Sequence, residues 1–310
     1  MKPASMVRVY AALIAAMVIW GLSFLAIKHA IEVVPIFSLL FARFLLATIL
    51  LGILGLARGA LRLPKRDVLV LAGLAMLSPV GYFLFETYGV AMTRPSHVSV
   101  IIAVIPIVVY LIAFARRQER ITWRRSIGIV LACAGVSIMV GWGTSEAGAT
   151  WTGDLLVLGA VLCAASRTTL IKDALRRITP LQLTFYQFFF SLFVFGPLAL
   201  TDGFAWTSQL TAWTVAEVLF LGILCSAGAF FFMHYALAHL SATQVAVSAN
   251  LVPVITLIAE IAILGAGLTV PKILGTLITL AGVLLTQVDR SARTPRIDYD
   301  AAVLPKSPSS

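Results

Sequence analysis

Ten long stretches without a single Asp, Glu, Lys or Arg constrain this chain more than any other feature. A helix needs about 20 mainly apolar residues to cross the hydrocarbon core of a bilayer. The stretch 218–259 is too long for one span, and a polar turn at 239–243 divides it. The second part then continues as a span over 244–265, across Glu260. The stretches are 9–27, 44–57, 68–85, 95–115, 126–145, 155–166, 178–201, 218–259, 261–271 and 273–288.

Two of the stretches become full-length spans when they are extended, 44–57 back to Pro35 and 155–166 forward to Lys172. The sequence therefore predicts an all-α integral membrane protein with ten transmembrane helices. Residues 9–30 are predicted to be a retained helix, because no small-residue cleavage site follows the first apolar run. The polar segment 290–310 is rich in Pro and Ser, which predicts a disordered cytoplasmic tail.

The composition excludes the soluble classes of protein. Hydrophobic residues make up 60% of the chain and charged residues 12%, against roughly 45–50% and about 25% in ordinary globular domains. The mean hydropathy is +1.01, and a disordered chain would be poor in apolar residues. The three cysteines, Cys133, Cys163 and Cys225, lie scattered within apolar runs, so neither a disulfide framework nor a redox motif is expected.

The basic residues predict an orientation in the membrane. With the N-terminus in the cytoplasm, 18 of the 23 Lys and Arg residues fall on the inner side. Lys28, Arg94 and Lys272 fall on the outer side, and Arg43 and Arg167 lie within spans. This asymmetry is the positive-inside pattern, and it places both termini in the cytoplasm. The net charge of +10 is thereby explained by topology, without a nucleic-acid partner.

The two halves of the chain resemble each other. A shift of 147 positions aligns them without a gap over a long stretch, and the matches include glycine and proline positions that carry backbone meaning. Each repeat then holds five spans: residues 1–143 form the first and 152–289 the second. Because five is odd, the second repeat must be inverted in the bilayer, which is the architecture of many secondary transporters. The matches include Gly81 with Gly228, Phe83 with Phe230, Tyr88 with Tyr235, Pro106 with Pro253, and Gly128 with Gly275.

Several short motifs resemble those of one transporter family. They are Trp20-Gly-Leu-Ser-Phe24, Phe41-Ala-Arg43, Tyr82-Phe-Leu-Phe-Glu86-Thr-Tyr-Gly89, Pro106 and the Gly128…Ala134-Gly135 segment. Together they are similar to the EamA family of the drug/metabolite transporter superfamily, over about residues 10–288. The resemblance implies ten helices, both termini in the cytoplasm, and export or exchange of small metabolites such as amino acids by secondary transport. We expect a multi-pass protein of the inner membrane. The second repeat departs from the pattern, with Ala165-Ser166 and Phe188 near the matching places.

Two ionisable residues inside predicted spans are candidate site residues, because charge is costly to bury in a bilayer. Arg43 lies eight residues after Pro35 and Glu86 seven before Thr93, at depths of roughly 12 and 10 Å. In one interpretation Arg43 binds a substrate carboxylate, while Glu86 takes a proton or pairs with a substrate amine. In the other, the two form a structural ion pair between helices two and three. The sequence leaves both open.

Further candidates are polar or aromatic residues within spans. Asn250 shares a face of helix nine with Pro253 and Glu260, where it binds substrate or forms an interhelical hydrogen bond. Trp20 lies near the middle of helix one, away from the interfacial belts, and with Tyr82 it forms either a stacking wall or part of the core. Glu260 is expected to extend to the headgroups.

The remaining candidates lie on helices six, seven and eight. Tyr186 and Gln187 line the cavity or pack against other helices. His234 carries protons or lies at the interface, and we expect the interfacial position. Arg167, five residues before Lys172, is expected to extend to the cytoplasmic surface.

No motif of nucleotide hydrolysis, zinc proteolysis or serine hydrolysis is present, and none of the four His residues has metal-ligand spacing. We therefore predict no enzyme, no cofactor and no metal site. The expected partners are a small-molecule substrate, the lipid bilayer and protons as a coupling ion, with the chain a monomer or weak dimer. A nucleotide-sugar or sugar-phosphate exchanger is an alternative, as are an ion channel, a membrane-embedded enzyme and a membrane scaffold.

Overall fold

The computed structural model describes residues 5–92, 101–140, 151–264 and 269–288. We give one label to helical segments that lie in the same predicted span. The predicted tail at 290–310 and the side chain of Glu260 lie outside the described residues. The helices are α1 (Met6–Ala30), α2 (Ile36–Ala57), α3 (Lys65–Ala75, Met76–Gly81, Tyr82–Met92), α4 (Ile105–Ala115), α5 (Trp123–Val140), α6 (Trp151–Ala174), α7 (Pro180–Thr201), α8 (Ala212–Leu219, Phe220–Ala229, Phe230–His239), α9 (Ala242–Ser248, Leu251–Leu264) and α10 (Val270–Val288).

The described residues form helices and no strand, which confirms the all-α class. Eight helices in these ranges are long and apolar enough to cross a membrane. A further helix, at 101–115, is apolar but shorter. The chain is therefore a multi-pass membrane protein, and the count of ten spans stays a prediction.

Helices α3 and α8 are both interrupted at corresponding places. A π-helical turn covers Met76–Gly81 in α3, and another covers Phe220–Ala229 in α8. Moved by 147 positions, the first turn falls on 223–228, inside the second. Ser78 is extended within its turn, with φ −162° and ψ 129°, and its carbonyl accepts a hydrogen bond of 3.0 Å from Gln187 Nε2. Such interruptions are frequent at functional sites.

Helices α5 and α10 approach each other closely through glycines. A Cβ atom added to Gly128 would lie 2.8 Å from the Gly282 carbonyl oxygen, and one added to Gly282 would lie 2.6 Å from that of Gly128. A Cβ atom added to Gly135 would likewise lie 2.6 Å from the carbonyl oxygen of Gly275. Since rising positions on α5 meet falling positions on α10, the two helices pack antiparallel. Only small residues permit so close a backbone contact.

The loops that follow α2, α4 and α6 meet at one end of the bundle, which we call the basic end. Arg177 Nε lies 2.9 Å from Asp67 Oδ1 and links the α6–α7 loop to α3. The buried Glu119 pairs with Arg125 Nη1 at 2.6 Å, and its other oxygen accepts a hydrogen bond of 3.0 Å from the Thr243 amide. This end is rich in basic residues: Arg58, Arg62, Lys65, Arg66, Arg116, Arg117, Arg120, Arg124, Arg125, Lys172, Arg176 and Arg177.

Lys172 belongs to the basic end as well. Its Nζ donates to the carbonyls of Leu237, Ala238 and Leu240, at 2.7, 3.3 and 2.7 Å. These carbonyls close α8, where unsatisfied oxygens and the helix dipole favour a cation. Lys172 therefore fixes the end of α6 to the end of α8.

Acidic residues join the helices at the opposite end of the bundle. Asp202 Oδ2 accepts two hydrogen bonds of 2.8 Å from Ser38, one from its amide and one from its hydroxyl. Glu217 Oε2 lies 2.7 Å from His29 Nδ1. His29 lies beyond the apolar stretch Met6–Ser23, and the hydrogen bond and charge of Glu217 raise the pKa of its imidazole.

Candidate functional site

The Phe230 ring of α8 is the centre of a group of side chains from four helices. Trp20 of α1 lies edge-on to it with the ring centroids 5.1 Å apart, and Phe188 of α7 does so at 5.2 Å. The imidazole of His234 lies 6.2 Å away, and the guanidinium carbon of Arg167, from α6, stands 5.7 Å from the ring centroid. We call these five residues the Phe230 cluster.

Arg167 extends into the bundle, and the prediction that it reaches the cytoplasmic surface is wrong. Its guanidinium carbon lies over the Phe230 ring, a favourable cation–π arrangement. Its Nε and Nη1 atoms are buried and have no hydrogen-bond partner among the described residues. The charge of Arg167 acts on Tyr82 and on His234. The residue therefore belongs to the interior site.

His234 is 0% exposed, so other parts of the protein enclose its side chain. Its Nδ1 lies 2.8 Å from Thr184 Oγ1, and that hydroxyl also lies 2.7 Å from the Pro180 carbonyl, to which it donates. A hydroxyl has one proton to donate, which favours the tautomer in which Nδ1 donates to Thr184. Nε2 is buried without a partner among the described residues.

Glu86 and Arg43 lie near each other without forming an ion pair in the part of the chain that the structure describes. The Tyr82 hydroxyl donates to Glu86 Oε1 at 2.8 Å, one turn apart on α3. Arg43 is 6% exposed, and its Nε donates to Ser226 Oγ at 3.4 Å. The charges of Arg43 and Glu86 interact. The direct structural ion pair is therefore absent, while the expected proximity is present.

Trp20 connects the Phe230 cluster to Arg43. Its Nε1 donates to the carbonyl of Cys225 at 3.3 Å, and Cys225 precedes Ser226, the hydrogen-bond partner of Arg43. Trp20 is half-buried and packs against the core formed by α1, α8 and neighbouring helices. Trp20, Arg43, Tyr82, Glu86 and His234 are thus brought into one interior region.

The other three predicted site residues serve helix packing in the contacts that the structure shows. Asn250 Nδ2 points to the thiol of Cys133 on α5, at 4.0 Å, and Cys133 lies in a separate cluster of α4, α5, α9 and α10. The Tyr186 hydroxyl donates to the Leu61 carbonyl in the α2–α3 loop at 2.9 Å. Gln187, 2% exposed, satisfies the carbonyl at the α3 interruption. These contacts favour the packing interpretations of all three.

A cavity of about 530 Å³ opens between α3 and α6 at the basic end. Apolar residues form most of its wall, and charged residues stand at its margin. Leu170, in its wall, lies three positions after Arg167 and so shares its face of α6. The lining residues are Val70, Gly73, Leu74, Leu77, Leu170, Asp173, Ala174, Arg176 and Arg177.

Sequence reasoning missed Phe230 and the role of Arg167. The repeat alignment had paired Phe230 with Phe83, a signal that both rings occupy equivalent interior positions. Arg167 lies more than one helical turn before Lys172, and the Lys172 ammonium already occupies the boundary at the end of α6. That depth was the available signal for an interior guanidinium. No group of three or more His, Cys, Asp or Glu side chains suited to a metal ion occurs among the described residues.

A multi-pass helical bundle with ionisable groups in its interior is the architecture of a membrane transporter. Comparison with known proteins makes this assignment specific. The model of the EamA-like transporter family matches residues 7–141 and again residues 151–288. The chain belongs to the EamA-like transporter family.

Individual relatives agree with the family. The chain is 32% identical over 273 residues to an uncharacterized transporter of Archaeoglobus fulgidus, covering 87% of this chain and 94% of that protein. It is 28% identical over 276 residues to a probable terminal-alkyne amino-acid exporter of Streptantibioticus cattleyicolor, covering 88% and 91%. A shorter match, 26% over 175 residues, is to an S-adenosylmethionine/S-adenosylhomocysteine transporter of Chlamydia trachomatis, covering 54% and 53%.

The fold also has a close counterpart among solved structures. One crystal structure superposes with a TM-score of 0.75 and covers 90% of this chain and 96% of its own. The sequence identity is 16%, so this similarity describes the fold alone.

Proposed function

We propose that the protein is a secondary transporter that exports small polar metabolites of the amino-acid class by alternating access. The observation that carries this proposal is the interior group of Arg43, Glu86 and Arg167, held between helices from both halves of a transporter-family bundle. Two related proteins are named for substrates of this kind, an amino acid and an amino-acid derivative. Both termini would lie in the cytoplasm of an inner-membrane protein, with the basic end facing inward.

Two five-helix repeats of opposite orientation, ten spans in all, would give the protein two alternately open faces. The antiparallel contact of α5 and α10 supports this arrangement. The pair Gly128 and Gly282 becomes the pair Gly275 and Gly135 under the 147-residue shift, so the contact maps onto itself. A twofold axis lying in the membrane plane has this property, because it inverts one copy relative to the other. The interruptions of α3 and α8 would supply compliance at equivalent points.

In this proposal Glu86 is the coupling residue. Its carboxylate, beside the Tyr82 hydroxyl and within reach of the Arg43 charge, would take a proton or pair with the substrate amine in alternating steps. The charge of Arg43 would act on this carboxylate when no substrate amine is bound. Trp20 and Phe230 would form the apolar wall of the site.

The test is proton-driven uptake into inverted membrane vesicles. The probe is the radiolabelled L-amino acid that most raises the thermal stability of the detergent-purified protein, because a bound substrate stabilises by mass action. We expect Glu86→Gln to abolish uptake while the protein still folds. Glu217→Gln is the matched control, because that carboxylate bonds His29 at the end of the bundle. Unchanged uptake by Glu86→Gln would remove Glu86 from the coupling mechanism.

A further inference from the structure

We propose that Arg167, stacked on Phe230, binds the carboxylate of the transported molecule, and that the substrates are therefore compounds with a free α-carboxylate. This inference rests on the proposed function and deepens it. It transfers to Arg167 the role that sequence reasoning gave to Arg43. The guanidiniums of Arg43 and Arg167 have different surroundings, and this difference decides which of them binds the substrate carboxylate.

Arg43 has polar and charged neighbours of its own. Its Nε donates to Ser226, and the carboxylate of Glu86 acts on its charge. Arg167 forms no ion pair with an acidic side chain within the described ranges. An uncompensated cation is costly to bury in a membrane interior. A substrate anion supplies the missing counter-charge.

The polar atoms around Phe230 fit the same conclusion. Arg167 Nε and Arg167 Nη1 are buried and lack partners among residues 5–92, 101–140, 151–264 and 269–288. A guanidinium is planar and directs its N–H groups outward in its own plane. A carboxylate in that plane accepts them in charge-assisted hydrogen bonds, which are the strong class of hydrogen bond.

The position of Tyr82 explains why the ligand should be an amino acid and not a simple acid. Tyr82 donates to Glu86, and its hydroxyl also lies within the electrostatic reach of Arg167. The site therefore offers an anion-binding group, Arg167, and a cation-binding group, Glu86, which is hydrogen-bonded to Tyr82. An α-amino acid, whose carboxylate and ammonium are attached to one carbon, offers a partner to each.

The experiment compares each of the twenty L-amino acids with its α-carboxamide, which keeps the amine and removes the negative charge. Equilibrium binding to the detergent-purified full-length protein is measured by calorimetry. For wild type we expect at least one acid to bind about tenfold or more tightly than its amide, the size of effect typical of a hydrogen bond to a charged group. Arg167→Gln should reduce this ratio to near one, and Arg167→Lys should restore part of it.

Two further variants separate Arg167 from general charge effects. Arg43→Gln should keep the acid-to-amide preference, and Arg58→Gln, an exposed residue at the basic end, should match wild type. The thermal midpoint of every variant confirms that it is folded. A preference that survives Arg167→Gln, or that is lost in Arg43→Gln instead, overturns the proposal.

The same measurements distinguish this inference from the proposed function. If an acid and its amide bind wild type equally and both are transported, the carboxylate assignment fails and the transporter of amino-acid-class compounds stands. If folded wild type binds none of the forty compounds, the substrate class itself fails, and the assignment of Arg167 fails with it.

Discussion

Helices α1 and α6 begin the two segments that match the family model, and each sends one side chain to the same ring. From α1 the indole of Trp20 packs edge-on against Phe230 at 5.1 Å. From α6 the guanidinium of Arg167 lies over that ring at 5.7 Å. One helix contributes a neutral aromatic group whose N–H is bonded to Cys225. The other contributes a cation with two unpartnered nitrogens in the described part of the chain.

This difference shows that the helix scaffold repeats in the two halves of the chain, whereas the side chains of the site do not. The glycines of α5 and α10 and the interruptions of α3 and α8 occupy equivalent positions in both halves, because helix packing depends on size and backbone geometry. The polar residues do not repeat: Glu86 lies opposite Met233 and Thr87 opposite His234 in the 147-residue register. A binding site for one asymmetric molecule has no reason to be symmetric. Predictions about the two halves can therefore be made separately.

The largest expected effect comes from the α1 side of the Phe230 cluster. Trp20→Ala should lower the free energy of unfolding by about 3 kcal/mol, because it removes a large packed ring and leaves a cavity. Chemical denaturation in detergent measures the change. Trp151→Ala, at the first residue of α6 and 86% exposed, is the control and should change stability much less. Equal losses would mean that Trp20 contributes no more than an interfacial tryptophan.

The next prediction tests the close glycine contact between α5 and α10, which occupies equivalent positions in the two halves of the chain. Gly282→Ala should lower the free energy of unfolding by about 1–3 kcal/mol, because its Cβ would overlap the α5 backbone. Gly73→Ala is the matched control on α3, where an added Cβ meets nothing within 4 Å. The thermal midpoints of both variants check the difference. A Gly282→Ala protein as stable as Gly73→Ala would show that α5 and α10 do not depend on this close contact.

The helices could be predicted from the sequence because apolar length is a local property, and the described helices lie within or around the predicted stretches. The proximity of Arg43 and Glu86 also followed from depth along their helices. The direction of a side chain around the helix axis could not be predicted in the same way. Asn250 faces α5 and Tyr186 faces the α2–α3 loop because of how whole helices are arranged. Periodicity shows which residues share a face but not which helix that face meets.

Arg167 shows the same limit most clearly, since its neighbours come from two other helices, α3 and α8, that are distant in sequence. Depth alone allowed it to extend to the surface or into the bundle, and both directions satisfy the apolar pattern of α6. The Phe230 ring, which α8 holds in the interior, decides between these two directions of the Arg167 side chain. The effect of the Arg167 guanidinium, unpaired among the described residues, on the free energy of unfolding can be measured in the substrate-free protein.

The smallest expected effect has the opposite sign to the first. Arg167→Met should raise the free energy of unfolding of the substrate-free protein by about 1 kcal/mol, because it replaces an uncompensated interior cation with an apolar chain of similar length. Arg43→Met, in contrast, should be destabilising, since it removes the cation beside Glu86. Both are measured by denaturation in detergent without substrate. If Arg167→Met destabilises as much as Arg43→Met, then Arg167 is already compensated within the protein, and its side of the cluster is structural, as the Trp20 side is.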